Sequence, residues 1–390
     1  MKNEKKAQHA SFKELVLAIR LRSVSFIKKN IVMVIALCLA IITAFIVPPD
    51  KNYIGYFDFK TLSCLFTTLA VICALKNIKF FYIIARKIVS VFKTTKICVL
   101  VLVYITFLGS MLLANDMALL TFLPLGFFVL SSTGKEKYMP FTFIMQNIAA
   151  NLGGMLTPFG NPQNLYLYSR FSINTGEFMG IMLPSFVLSV TLITICCLAF
   201  VKSEPLTINN ESVKLPIART VIYLLLFALS IIVIFRLIPY LVALIVVPLV
   251  ILFMDRRALL KVDYPLLLTF VFFFIFSGNM ARIGAVQSFF SWLLEKSTLI
   301  FSTLSCQVIS NVPSAILLSQ FTNDYRNLLI GVNIGGVGTL ISSLASLITL
   351  REYLNHNPKG AKKYILLFTL FNFGFLIILL GFNLLWNLIF

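Results

Sequence analysis

The acid with the sharpest chemistry in this 390-residue chain is Asp116, in "MLLANDMALLTFLPL" directly after Asn115. A carboxylate at the centre of a bilayer costs on the order of 2.5–3.5 kcal/mol, so one kept there suits a proton carrier or a cation ligand. A second asparagine stands in similar apolar surroundings at Asn311, after Ser310, in "QVISNVPSAILLSQF". Either asparagine alone reads as interhelical glue. Their paired placement points to a site, with Asn115, Asp116 and Asn311 as candidate Na+ ligands at two hairpin tips.

A second pair of motifs follows the first. The only two Gly-Gly pairs lie in "NLGGMLTPFGNPQNL" and "NIGGVGTLISSLASL", which align without a gap. Asn151, Gly153, Gly154 and Thr157 match Asn333, Gly335, Gly336 and Thr339, while Ser342 and Ser343 stand where the first copy has Gly160 and Asn161. The glycines, with Pro158 and Pro162, predict helices broken at depth, which frees backbone groups beside Asn161, Gln163 and Asn164. Half-helix N-termini can hold an anion without a cation, and freed carbonyls can hold sodium. Thr157, Thr339, Ser342 and Ser343 are weaker candidates, since hydroxyls often bond back to their own helix.

These motifs need elements to carry them. The chain is 59% hydrophobic and 12% charged, with long apolar runs throughout, and so reads as an all-α polytopic membrane protein. The formal charge of +19 raises nucleic acid as a partner, but the basic residues sort by topology instead. With a cytoplasmic N-terminus, 26 of the 33 Lys and Arg fall in segments on one side and 7 on the other, leaving none at membrane depth. Asp116 is the one acid that count leaves unassigned. The stretch "SFKELVLAIRLRSVSFIKKN" reads equally as an amphipathic helix on the inner leaflet and as a solvated tail. Seven scattered cysteines and two histidines show no metal or disulfide spacing, and no nucleophile or phosphate-loop motif supports an enzyme.

The same charge count gives the paired motifs opposite senses in the membrane. The expected architecture is two inverted-topology repeats, each with a re-entrant hairpin and a discontinuous transmembrane helix, which is the build of secondary transporters. Residues 1–30 form a basic cytoplasmic N-terminus, 31–201 the first repeat, 202–236 a cytoplasmic linker and connecting helix, and 237–390 the second repeat.

On these residues the chain resembles the ion transporter superfamily, which includes citrate transporters, divalent anion:sodium symporters, sodium/proton antiporters and arsenite permeases. "NLGGMLTPFGNPQN" is similar to the interruption of the citrate and arsenite branches, and "GGVGTLISSLASLIT" to the second-half interruption of arsenite permeases. The resemblance implies a homodimer in the plasma (inner) membrane with a scaffold and a moving transport domain. It also implies coupling to Na+ or H+, no cofactor, and a site built from Asn115, Gly153 and Gly154 with Asn311, Gly335 and Gly336. Carboxylate symporters carry Ser-Asn-Thr at both tips, whereas this chain has Ala114-Asn115-Asp116 and Ser310-Asn311-Val312. The first reading is a secondary active transporter of a small anion, a carboxylate such as citrate or a dicarboxylate. Arsenite or antimonite efflux, Na+/H+ antiport, and a non-transporting sensor or channel are the alternatives.

Overall fold

The computed structural model describes residues 30–206 and 215–389. The proposed amphipathic stretch at the N-terminus, and residues 207–214 of the linker, lie outside the described residues. Among the described residues the regular structure is helical, with one isolated antiparallel bridge between Thr94 and Pro205. Among these residues seven helices are long and apolar enough to cross a membrane.

The described residues form two compact units. In the first, α1 (Ile31–Ile46) packs on a helix contributed from far along the chain, Tyr264–Ala281 (α11 below). Within this unit Asn279 Nδ2 donates to the buried Thr43 Oγ1 at 3.3 Å, and the Tyr56 ring stands where a side chain on Gly278 would be. Arg282 is held on Asp50 by bonds of 2.8 and 3.1 Å and also donates to Tyr56. This ion pair draws the Asp50 carboxyl below its ordinary range.

The second unit contains α2 (Phe59–Asn77), α3 (Phe80–Val89), α4 (Thr95–Leu113), α5 (Asn115–Ser132), α6 (Met139–Gly153), α7 (Pro162–Arg170), α8 (Thr175–Phe200), α9 (Ile217–Ile234) and α10 (Tyr240–Leu260). After α11 (Tyr264–Ala281) of the first unit come α12 (Gly284–Ile309), α13 (Asn311–Leu318), α14 (Tyr325–Ile334), α15 (Leu344–His356) and α16 (Ala361–Ile389). Helix starts follow from local chemistry. Asp58 accepts from Thr61 N at 2.9 Å to start α2, and Asp263 accepts from Leu266 N at 3.0 Å to start α11, the same offset in both. Pro162 opens α7 at a position where a missing N–H costs nothing.

Among the described residues two helices, α10 and α12, bend where a residue leaves helical geometry. In α12 the bend is at Ser297, whose Oγ accepts from Ile300 N at 3.2 Å and restarts the helix. The arm leading to Asn311 is therefore residues 298–309, and the returning arm α13 has 8 residues. The arms on either side of Asn115 are longer, with 19 and 18 residues. At their base, Glu204 is clasped by Lys135 and Lys137 at 2.6 Å each and by Tyr138 at 2.9 Å. Leu206 N donates to Lys93 O and Thr95 N to Glu204 O, both at 2.9 Å, so one short segment ties together the starts of α4 and α6.

Candidate functional site

Both hairpin tips have one backbone solution. Ala114 (φ 64°, ψ 151°) and Ser310 (φ 77°, ψ 160°) occupy a region that is otherwise left to glycine. The asparagine that follows is the first residue of a helix, and its Oδ1 accepts from the next backbone N–H, at 2.9 Å for Asn115 to Asp116 and 2.8 Å for Asn311 to Val312. This strain of about 1–3 kcal/mol per tip aims each asparagine side chain and the first turn of its helix into the protein.

The tips lead to one place. Asn115 Nδ2 donates to Asn151 Oδ1 at 3.1 Å and to Ser343 Oγ at 3.4 Å. Asn311 N donates to Ser342 O at 3.0 Å, and Ser310 Oγ to the same carbonyl at 3.3 Å. A Cβ on Gly336 would lie 3.2 Å from Asn311 Nδ2 and 3.4 Å from Asn151 Oδ1. Gly336 thus stands between an asparagine of the second tip and the partner of the first. Asn115, Asn151, Asn311, Asn333, Ser342 and Ser343 are all buried.

Both helices expected to be broken are broken. After α6 ends at Gly153, a short 3₁₀ turn, Gly154–Leu156, leads through non-helical residues to Asn161 before α7 begins. Between Ile334 and Leu344 no α-helix connects α14 to α15. The two interruptions seat against their hairpins alike. Thr157 Oγ1 donates to Met111 O at 3.0 Å and Thr339 Oγ1 to Gln307 O at 3.0 Å, each carbonyl lying four residues before the tip asparagine. Gly153 faces Ser110 and Gly335 faces Cys306, each five residues before it. Asn151 and Asn333 each donate to the carbonyl four residues back. Thr157, Thr339 and Ser342, read as weaker ligands, bond to backbone carbonyls of the interruptions and hairpin arms.

The freed carbonyls are met differently in the two halves. Asn164 Nδ2 donates to Gly154 O, Met155 O and Thr157 O at 3.1–3.3 Å. In the second half Gln307 does this from the hairpin arm, donating to Gly335 O at 2.9 Å and Val337 O at 3.2 Å and accepting from Thr339 N at 2.8 Å. Gly338, at φ +127°, lies against it. Sequence reasoning missed Gln307. The available signal was a polar residue one helical turn before the tip, facing an interruption that needs donors.

A ring of carboxamides joins the two interruptions. Asn333 Oδ1 accepts from Asn161 Nδ2 and Gln163 Nε2, each at 3.4 Å, and Asn333 Nδ2 donates to Asn164 Oδ1 at 2.6 Å. Asn161 also reaches Asn151 O at 3.3 Å. The buried oxygens Asn161 Oδ1 and Gln163 Oε1 have no donor among the described residues, which leaves two acceptors able to take a cation or a hydrogen-bond donor. Asp116 is half-buried in the first turn of α5, the end of a helix that favours negative charge. Among the described residues no cluster of His, Cys, Asp and Glu could hold a metal ion, and no disulfide links the cysteines.

Two tips and two helix breaks are held against each other by buried amides inside a membrane protein, and residues 15–323 match the profile described as citrate transporter. The chain belongs to the citrate transporter family. It is a multi-pass membrane protein of a transporter family. It is 35% identical over 296 residues to an uncharacterized transporter of Methanocaldococcus jannaschii, covering 75% of this chain and 81% of that protein. It is 29% identical over 316 residues to the inner membrane protein YbiR of Escherichia coli, covering 79% and 84% of the two chains. A 120-residue stretch is 29% identical to a transporter of Dictyostelium discoideum named arsB, covering 30% of this chain and 21% of that one.

Proposed function

We propose that this protein is a secondary active transporter of a small carboxylate, such as citrate or a dicarboxylate, driven by Na+ or H+. One observation carries the reading: four helices, α5, α7, α13 and α15, start at the buried asparagine and serine cluster, and no Lys or Arg is among the residues that form it. Helix starts present free N–H groups and a partial positive charge, which suits a carboxylate. α4, α6, α12 and α14 end at the same cluster, and helix ends present carbonyl oxygens, which suit a cation. An anion and its coupling ion can therefore share one neutral pocket.

The oxygens of Asn115, Asn311, Asn161 and Gln163 fit a hard cation such as Na+, and Asp116 suits proton exchange at the first tip. In this reading the halves are inverted repeats, the N-terminus is cytoplasmic, and the tips form a moving body in an elevator-type homodimer. The two donor-seeking amide oxygens favour a second reading, in which the solute is a neutral hydroxide such as arsenite, As(OH)3, whose O–H groups would satisfy them.

Purified protein in liposomes, given labelled citrate, succinate or arsenite under imposed sodium or proton gradients, tests the proposal. Gradient-driven uptake of a carboxylate is expected, with coupling lost in Asp116→Asn if the driving ion is H+. Uptake that ignores every gradient would refute coupled transport. Gradient-driven movement of arsenite alone would select the second reading.

A further inference from the structure

We propose that α3 and the residues flanking it are a docking surface for the headgroups of anionic phospholipids. From Asp58 to Asp116 the chain carries no acidic residue between the two, yet residues 76–96 hold six cations, Lys76, Lys79, Arg86, Lys87, Lys93 and Lys96. Lys79 adopts left-handed backbone geometry (φ 57°) and ends the path of α2, so α3 leaves on a new heading. At 10 residues α3 is about 15 Å long, half of the roughly 30 Å needed to cross.

Its two faces differ in kind. Ala85 and Val89 are buried, and α3 packs on α2, α4 and α5. On the outer side Ile84, Ile88 and Val91, at helical spacing, are 40%, 43% and 69% exposed, and Lys87 and Lys93 are exposed beside them, with exposed Lys79 at the helix start. An apolar ridge flanked by lysines and short of a crossing length is the composition of a helix lying in the interface, ridge in the acyl boundary and cations among the phosphates. Neighbouring Arg86 lies 4.9 Å over the Phe128 ring of α5. A lipid held on α3 therefore steadies the base of the hairpin whose tip is Asn115. This surface is independent of what is transported.

The test is thermal unfolding of the detergent-purified full chain with phosphatidylglycerol, phosphatidylcholine or inorganic phosphate added. The wild type is expected to unfold several degrees higher with phosphatidylglycerol than with phosphatidylcholine, since a ligand of the native state raises its midpoint. Lys79→Gln, Lys87→Gln and Lys93→Gln together should remove that difference, and the corresponding Arg substitutions should keep it. Each protein is referred to its own midpoint in phosphatidylcholine, so a general loss of stability does not imitate the effect. An equal shift from both lipids, a shift matched by inorganic phosphate, or a full phosphatidylglycerol shift in the Gln variant would overturn the proposal.

Discussion

Ala114 and Ser310 hold their asparagines by standing in backbone geometry that penalises a Cβ. Ala114→Gly should relieve strain and stabilise the protein by about 1 kcal/mol, read as a raised unfolding midpoint in detergent, while Ser310→Gly also gives up the Ser310 Oγ bond to Ser342 O and should gain less; an unchanged midpoint in Ala114→Gly would show that this tip is not strained. At the interruptions the glycines are needed for close approach. A Cβ on Gly153 would lie 2.2 Å from Phe107 O, a backbone atom that cannot step aside, so Gly153→Ala should destabilise by about 3 kcal/mol. Gly180 has open space around it inside α8, and Gly180→Ala in the same assay should be neutral or slightly stabilising. Equal effects at the two positions would remove the packing explanation.

At the scale of elements, each broken helix depends on a side chain that satisfies what the break exposes. Gln307→Leu strips partners from Gly335 O, Val337 O and Thr339 N and should cost about 3 kcal/mol. Gln307→Glu keeps the acceptor for Thr339 N but turns a carboxylate oxygen onto Gly335 O and Val337 O, so near neutral pH its midpoint should fall at least as far as that of Gln307→Leu. The breaks themselves were legible in the sequence, because Gly-Gly, Pro158 and Pro162 are local statements about backbone. Gln307 was not, because its contacts with the second break cross 28 to 32 residues and its own surroundings read as ordinary helix. The clasp at the hairpin base makes a separate prediction. Lys135, Lys137 and Tyr138 hold the Glu204 carboxyl down to about 2 from 4.5, so its stabilising effect is complete above pH 4.5 and is lost as pH falls through about 2. Glu204→Gln should lower the unfolding midpoint above pH 4.5, with the gap to wild type closing as pH drops toward 2; a constant gap would show that the ion pairs do not contribute.

For the molecule as a whole, composition made the membrane setting legible, since mean hydropathy of +0.96 over 390 residues leaves few soluble alternatives. The packing units were not legible. α1 is partnered by α11, more than 200 residues away, and nothing in either apolar run names its neighbour. Asn115 and Asn311 were recognised as a pair from repeated motifs, and the structure adds that Asn151 and Gly336 stand between them. A pocket made by both tips serves coupled transport only if it opens in turn to each side of the membrane. The direct measurement places a single cysteine at Ser343 in a cysteine-free background and follows its labelling by a membrane-impermeant thiol reagent in vesicles of each orientation. Alternating access predicts labelling from both sides, slowed by transported solute. Labelling from one side only, whatever solute and ions are present, would contradict it.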